Sequence, residues 1–156
     1  MIKLLATAAL LPALIGTAHA GAWLPSPGQD SEAPRAIYTE TDGGTALLTC
    51  NGEGQFTAML SQVTENFPET MKKPAPYRRG ADVQLTTPER ESEAKWVIVP
   101  AIDTIISVSH VNAARIYNTA VRGEPLNVKV DGKDFVSLEL PEIDDSFKAF
   151  AKTCRS

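Results

Sequence analysis

Four residues near the middle of the chain have side chains that could carry out hydrolysis. They are Asp103, Ser107, Ser109 and His110, and they fall within one short stretch. A histidine can act as the general base for a serine while a carboxylate orients the imidazole ring. The stretch lacks the G-x-S-x-G motif that presents the serine in one large class of hydrolases. A small envelope hydrolase that uses these residues is one alternative function. The simpler interpretation is that His110 is an exposed side chain next to a helix cap.

His110 is also the starting point for any metal site, because it is the only histidine that remains if the first twenty residues are removed. A zinc site would need carboxylates or cysteines as its other ligands. Glu142, Asp144 and Asp145 could form a carboxylate pair or a weak calcium site. Acidic residues at such a position are more typical of a helix N-terminus. We predict no metal and no cofactor.

A basic cluster beside a tyrosine is the main predicted binding site. Its residues are Lys72, Lys73, Tyr77, Arg78 and Arg79. They lie in residues 64–80, where three prolines predict a long surface loop without helix or strand. Arginine and aromatic side chains often anchor interfaces, although exposed loops are commonly polar without any such role. From this loop we predict that the protein contacts an envelope or host protein. Inhibition of an exogenous hydrolase through the same loop is an alternative.

The two cysteines of the chain, Cys50 and Cys154, favour a disulfide. Their number is even, which allows all cysteines to pair. The N-terminal sequence predicts export to an oxidising compartment, where disulfides persist. Each cysteine falls on the apolar face of its predicted element. They are not in C-x-x-C spacing, which disfavours a redox function. Such a bridge would close a loop of about a hundred residues and contribute about 4–5 kcal/mol in the chain-entropy model.

The N-terminus has the pattern of a secretory signal peptide. Lys3 precedes an apolar run over residues 4–15, and Ala18-His19-Ala20 forms an A-x-A cleavage site. The run is too short for a membrane-spanning helix. We predict that the protein is periplasmic or secreted. The predicted organisation is a signal peptide over residues 1–20, a flexible N-terminal arm over residues 21–34 and a single β-rich domain over residues 35–156.

The negative charge of the chain argues against nucleic acid and anionic membranes as partners. The formal net charge is −4, and loss of Lys3 with the signal peptide would make it −5. A chain of this sign has no general attraction to nucleic acid or to anionic membranes. The remaining length suits one domain with its own hydrophobic core.

The elements that must position these residues are mainly β-strands. Strands are predicted at about residues 36–41, 45–50, 55–61, 82–87, 95–99, 104–108, 126–130 and 136–140. In the last hairpin, an odd loop around Asp131-Gly132 is needed to bring the two apolar rows onto one face, and we predict a three-residue loop. The predicted fold class is mainly β with two helices, an antiparallel β-sandwich or curved sheet closed by one disulfide.

Two helices complete the prediction. The first covers about residues 110–122, with Ser109 as N-cap and Gly123 after its end. Its apolar stripe is predicted to consist of Val111, Ala114, Tyr117, Ala120 and Val121. The second begins after Asp144 or Asp145. Its buried face is predicted to consist of Phe147, Phe150, Ala151 and Cys154.

The order of these features resembles the periplasmic invasion-associated locus B family and its looser relatives. The shared pattern runs from the strand ending at Cys50, through the strand of Trp96 and the helix ending at Gly123, to the final hairpin and helix. It covers roughly residues 45–154. The resemblance implies a small secreted β-sandwich-like domain with an envelope or host-contact role and no defined enzyme activity. We therefore predict an exported non-catalytic binding or accessory domain.

Overall fold

Residues 21–62 and 78–155 are described by a computed structural model of the protein. Within them, nine strands form one antiparallel sheet in the order β1-β2-β3-β4-β7-β6-β5-β8-β9. The strands are β1 (Leu24–Pro25), β2 (Ala36–Thr41), β3 (Gly44–Cys50), β4 (Phe56–Gln62), β5 (Arg79–Thr86), β6 (Glu91–Val99), β7 (Thr104–Ser107), β8 (Pro125–Val130) and β9 (Lys133–Glu139). The helices are α1 (His110–Arg122) and α2 (Asp145–Thr153), and a 3₁₀ turn covers Pro100–Ile102. The mainly β fold class with two helices is confirmed.

The sheet is strongly curved, so that β9 reaches the turn between β2 and β3. A Cβ atom at Gly43 would overlap the backbone oxygen of Ser137, and one at Gly44 would lie 2.8 Å from a methyl group of Val136. Only glycine permits such a close approach of two backbones. The single curved sheet is thus the second of the two architectures that the sequence left open.

The inward face of the sheet forms the hydrophobic core. Ile37, Leu48 and Ala58 lie side by side on β2, β3 and β4, and all three are fully buried. On β6, Trp96 and Ile98 are also fully buried. The alternation of apolar and polar residues in the sequence therefore turns one row of each strand inward, as a half-buried strand requires.

The β8–β9 hairpin reaches its register by a different route from the predicted one. Val130 pairs with Lys133, so Asp131-Gly132 is a two-residue loop, and both of its residues have positive φ angles. Such angles fit a type I′ turn. A bulge then inserts Phe135 as an extra residue in β9 and restores the phase. The prediction of a three-residue loop is wrong. The predicted pairing of the two apolar rows is confirmed, with Leu126 opposite Leu138 and Val128 opposite Val136.

Helix α1 has the predicted ends but a different buried face. Ser109 Oγ accepts a hydrogen bond from the backbone N–H of Asn112, and Gly123 ends the helix in the left-handed conformation. The buried residues are Asn112, Ala113, Ile116, Thr119 and Ala120. Val111 and Val121, predicted to face the core, are 64% and 45% exposed. The apolar row that faces the core is Ala113, Ile116 and Ala120, spaced at i, i+3 and i+7.

The N-terminal segment packs against the start of α2. Trp23 is fully buried, its backbone N–H donates to Asp144 Oδ2 at 3.0 Å, and its indole N–H donates to the carbonyl of Pro141 at 3.3 Å. Asp144 Oδ1 also accepts from the backbone N–H of Phe147 and so caps α2. Trp23, which lies in the predicted N-terminal arm over residues 21–34, is thus anchored in the core.

The disulfide between Cys50 and Cys154 is confirmed, with the two Cα atoms 5.8 Å apart. It joins the end of β3 to the residue after α2, across 104 positions of sequence. A cross-link over a loop of this length stabilises the fold mainly by restricting the unfolded chain. The bridge therefore holds the last helix against the first part of the sheet.

Candidate functional site

The four residues of the hydrolase alternative lie around β7 without forming a catalytic arrangement. Ser107 is buried, and its Oγ accepts the backbone N–H of Ala58 at 2.9 Å. Ser109 caps α1, and His110 is exposed on the first turn of that helix. Asp103 precedes β7 and His110 follows it, so about 13 Å of strand separates them at about 3.3 Å per residue. The structure does not bring these residues together as a Ser-His-Asp site.

The acidic residues before α2 serve the helix. Both oxygens of Asp144 accept backbone hydrogen bonds, and Asp145 Oδ1 lies 3.2 Å from Lys148 Nζ. In residues 21–62 and 78–155, no group of three or more His, Cys, Asp or Glu side chains is arranged to hold a metal ion. In the same two ranges, no helix combines the length and the apolar composition that crossing a membrane would require.

The predicted basic contact site lies partly outside the described residues. Lys72, Lys73 and Tyr77 are in the part of the chain that the structure does not describe. Arg78 is exposed just before β5. Arg79 begins β5, and its Nη1 atom lies 3.3 Å from Asp131 Oδ2 in the β8–β9 turn. Arg79 therefore has an ion-pair partner within the fold, and the contact role of all five residues stays a prediction.

A groove between α1 and α2, which we call the inter-helix groove, is a candidate binding site. Its floor is aromatic: the ring centroids of Phe56 and Tyr117 are 5.0 Å apart, and those of Tyr117 and Phe147 are 5.1 Å apart. The groove comprises two adjoining cavities of about 470 and 390 Å³. Val121 and Ile143, 45% and 39% exposed, contribute apolar surface. The groove thus offers apolar surface to a ligand.

The rim of the inter-helix groove is basic. One exposed acidic residue, Glu53, lines it, against three exposed basic residues, Lys148, Lys152 and Arg155. Their spacing of four and three residues places them on one side of α2 and its C-terminal extension. Lys148 pairs with Asp145, whereas Lys152 and Arg155 have no ion-pair partner among the described residues. The rim is therefore locally positive on a chain with a net charge of −4.

A second basic site lies between the β5–β6 hairpin and α1, and we call it the arginine pocket. Arg90, Arg115 and Arg122 line a cavity of about 40 Å³ together with polar and apolar side chains. Arg115 and Arg122 are seven residues apart and share one face of α1. Arg90 is held by the turn of the hairpin, where it exchanges two backbone hydrogen bonds with Thr87 at 2.8 and 3.3 Å. Two elements, the β5–β6 turn and α1, thus contribute arginine side chains to the lining of one cavity.

Glu124 fixes the position of one of these arginines. Its Oε1 atom accepts a hydrogen bond from Arg122 Nε at 2.8 Å, and its side chain is 11% exposed. This bond raises the pKa of Arg122 and lowers the pKa of Glu124. It occupies Nε, so the two Nη groups of the fork are left to act as donors. Arg115 is half-buried and has no ion-pair partner among the described residues.

None of the lysine and arginine residues of these two sites was selected from the sequence as a candidate functional residue. The spacing of Lys148 and Lys152 and that of Arg115 and Arg122 are visible in the sequence as basic positions on one helix face. The contribution of Arg90 depends on the packing of a distant hairpin against α1. That packing has no local signal in the sequence.

No protein-family model, no curated protein and no solved structure matches this chain. The function therefore has to be inferred from the geometry and chemistry of the sites themselves. The resemblance to the invasion-associated locus B family stays a prediction.

Proposed function

We propose that this protein is an exported, non-catalytic binding domain that holds an acidic amphipathic helix of an envelope or host protein in the inter-helix groove. The apolar groove with its basic rim is the observation that carries this proposal. Amphipathic helices dock by laying their apolar face into such grooves. Charges at the rim orient the partner and exclude partners of the wrong sign.

The dimensions of α2 suit a short helical partner. Its nine residues span about 14 Å at about 1.5 Å per residue. A partner helix of that length presents apolar side chains at positions i, i+3, i+4 and i+7. Val121 and Ile143 would contact this apolar stripe. Acidic side chains beside the stripe would then meet Lys152 and Arg155.

Export is the second part of the proposal. It is supported by the signal-peptide pattern of residues 1–20, which lie outside the described residues, and by the disulfide, since such bonds persist in oxidising compartments. The proposed location is the periplasm or the extracellular space. The resemblance to the invasion-associated locus B family points to the same location and to contact with an envelope or host protein.

The two alternative functions have less support. A hydrolase using His110 has little geometric support, because Ser107 Oγ is bonded to the backbone of Ala58 and Asp103 lies at the opposite end of β7. Inhibition of an exogenous hydrolase through residues 72–79 stays a prediction, because most of those residues lie outside the described ranges.

Site-specific photo-crosslinking of the full chain in the cells that export it tests the groove. A photoreactive residue replaces Val121, and the captured peptide is mapped by mass spectrometry. Val108 is the matched control, because it is an exposed valine (57%) outside the groove. We expect position 121, and not position 108, to capture one protein segment with acidic residues beside a helical apolar stripe.

Charge reversal at the rim completes the test. We expect Lys152→Glu with Arg155→Glu to reduce the crosslink from position 121 at least tenfold. Arg35→Glu with Lys129→Glu changes the net charge equally and should leave the crosslink intact. Capture of a second copy of this chain, of lipid alone, or of a segment without acidic residues would contradict the proposal. So would an undiminished crosslink after reversal of the rim charges.

A further inference from the structure

We infer that the arginine pocket is a binding site for a small oxyanion of the phosphate or sulfate type. The anion is either a free ion or the terminal group of a larger molecule. The pocket shares no lining residue with the inter-helix groove. This inference therefore goes beyond the proposed function and stands independently of it.

The donors of the pocket suit an oxyanion. Arginine presents a planar fork of N–H groups that matches two oxygens of a phosphate or sulfate. Arg90, Arg115 and Arg122 all line one cavity, and Ser92 and Asn118 add residues with neutral hydrogen-bonding groups to its lining. A site that needed only an apolar ligand would not require this concentration of cationic donors.

The size of the cavity limits the ligand. Its volume of about 40 Å³ gives room for roughly three water molecules, since each needs about 10–15 Å³ of such space. A tetrahedral anion with four oxygens is of comparable size. For a larger molecule, we expect the terminal phosphate or sulfate to enter the cavity while the remainder stays in solvent.

The charges around the pocket leave a positive excess. Glu124 binds Arg122 and also interacts electrostatically with Arg90, and Glu89 interacts electrostatically with Arg122. Three arginines therefore face two carboxylates. The C-terminal end of α1 lies at Arg122, where the helix dipole is negative and opposes an anion. Affinity must consequently come from the guanidinium groups, and removing them should abolish it.

Thermal unfolding of the full chain in inorganic phosphate, sulfate or chloride at equal ionic strength tests the site. Phosphate and sulfate stabilise many proteins non-specifically by exclusion from the surface, so the informative quantity is the difference between variants. We expect millimolar phosphate to raise the unfolding midpoint of the wild type by about 3 °C over chloride. Arg90→Gln with Arg115→Gln should remove this rise, and the charge-matched control Arg35→Gln with Lys129→Gln should keep it, because neither residue lines the pocket.

Further arms identify the form of the ligand. If glycerol phosphate raises the unfolding midpoint as much as inorganic phosphate does, the pocket accepts a terminal phosphate group. If the midpoint rises with inorganic phosphate or sulfate but not with glycerol phosphate, the pocket is a site for the free ion. Arg115→Lys keeps the charge and loses the fork, so it should lose most of the rise even if the double variant folds poorly. Equal rises in the wild type, Arg115→Lys and the Arg90/Arg115 variant would overturn the inference. Lys152→Glu with Arg155→Glu should not alter the rise, which separates this test from that of the groove.

Discussion

The inter-helix groove and the arginine pocket are both basic sites on an acidic protein, but their chemistry differs. In the groove, exposed Lys152 and Arg155 stand over an aromatic floor. In the pocket, Arg90, Arg115 and Arg122 surround a small cavity. Lysine carries a flexible point charge, whereas arginine carries a rigid fork with defined geometry. Positive charge beside apolar surface favours an acidic protein segment, and converging arginines favour a compact oxyanion.

The two sites also depend on different parts of the chain. The groove needs α2, which is held by the disulfide at its end and by Trp23 and Asp144 at its beginning. The pocket is formed by β5, β6, α1 and β8, which lie between residues 79 and 130. Changes that loosen α2 should therefore affect the groove before they affect the pocket.

Among the variants, Phe147→Ala is expected to give the largest difference between its effect on the groove and its effect on the pocket. Phe147 is 2% exposed and contacts the rings of Trp23, Tyr117 and Phe150. Its removal leaves a cavity beneath α2 and should lower the free energy of unfolding by about 3–5 kcal/mol. Urea unfolding measures this loss, and crosslinking from position 121 should fall with it. A loss below about 1 kcal/mol would show that Phe147 does not hold α2 in place.

Removal of the disulfide should give the next largest effect. Cys50→Ala with Cys154→Ala should reduce the free energy of unfolding by about 2–5 kcal/mol, because the unfolded chain regains its freedom. In the variant that remains folded, we expect weaker crosslinking at the groove and an unchanged response to phosphate. Wild type treated with dithiothreitol should behave like the variant. Loss of the phosphate response in a folded disulfide variant would break the distinction between the two sites.

A charge placed on the apolar surface of the groove should change binding more than stability. Val121→Asp alters a residue that is 45% exposed, so the free energy of unfolding should change by no more than about 0.5 kcal/mol. The crosslink-mapped segment, as a synthetic peptide, should bind at least tenfold more weakly, which corresponds to about 1.4 kcal/mol. Val108→Asp is the control and should bind normally. Fluorescence anisotropy with the labelled peptide measures both affinities.

The smallest effect concerns the pH dependence of the pocket. The bond from Arg122 lowers the pKa of Glu124 below its ordinary value of 4.5. The stabilisation from this pair is therefore present above that value and is lost as the pH falls through the lowered pKa of the folded state. The difference in unfolding midpoint between wild type and Glu124→Gln should shrink as the pH is lowered from 6 to about 3. A difference that stays constant over this range would contradict the assigned pair.

The sequence was sufficient to predict β2 to β9 and both helices, because their apolar periods are regular and most of their ends are marked. It missed the two-residue β1, and β5 and β6 begin three and four residues before their predicted starts. The pairing of Leu126 with Leu138 and the caps at Ser109 and Asp144 illustrate this. The disulfide was predictable because only one pair of cysteines exists.

Features set by contacts between distant residues could not be predicted in the same way. The buried face of α1 contains Ala113, Ile116 and Ala120, whereas Val111 and Val121 are exposed, and packing against the sheet decides between the two apolar rows. The anchoring of Trp23 depends on Asp144, which is 121 residues away. Both binding sites likewise combine residues from separate elements, so local patterns show only parts of them.

Two-dimensional ¹H–¹⁵N NMR of the labelled chain tests the central claim, that the groove and the pocket are separate sites for different ligands. The sample is titrated first with inorganic phosphate and then with the synthetic peptide of the crosslinked segment. We predict that phosphate shifts amide signals of residues 85–92 and 115–126 and that the peptide shifts those of residues 143–155. Overlapping sets of shifted signals, or displacement of phosphate by the peptide, would contradict the claim.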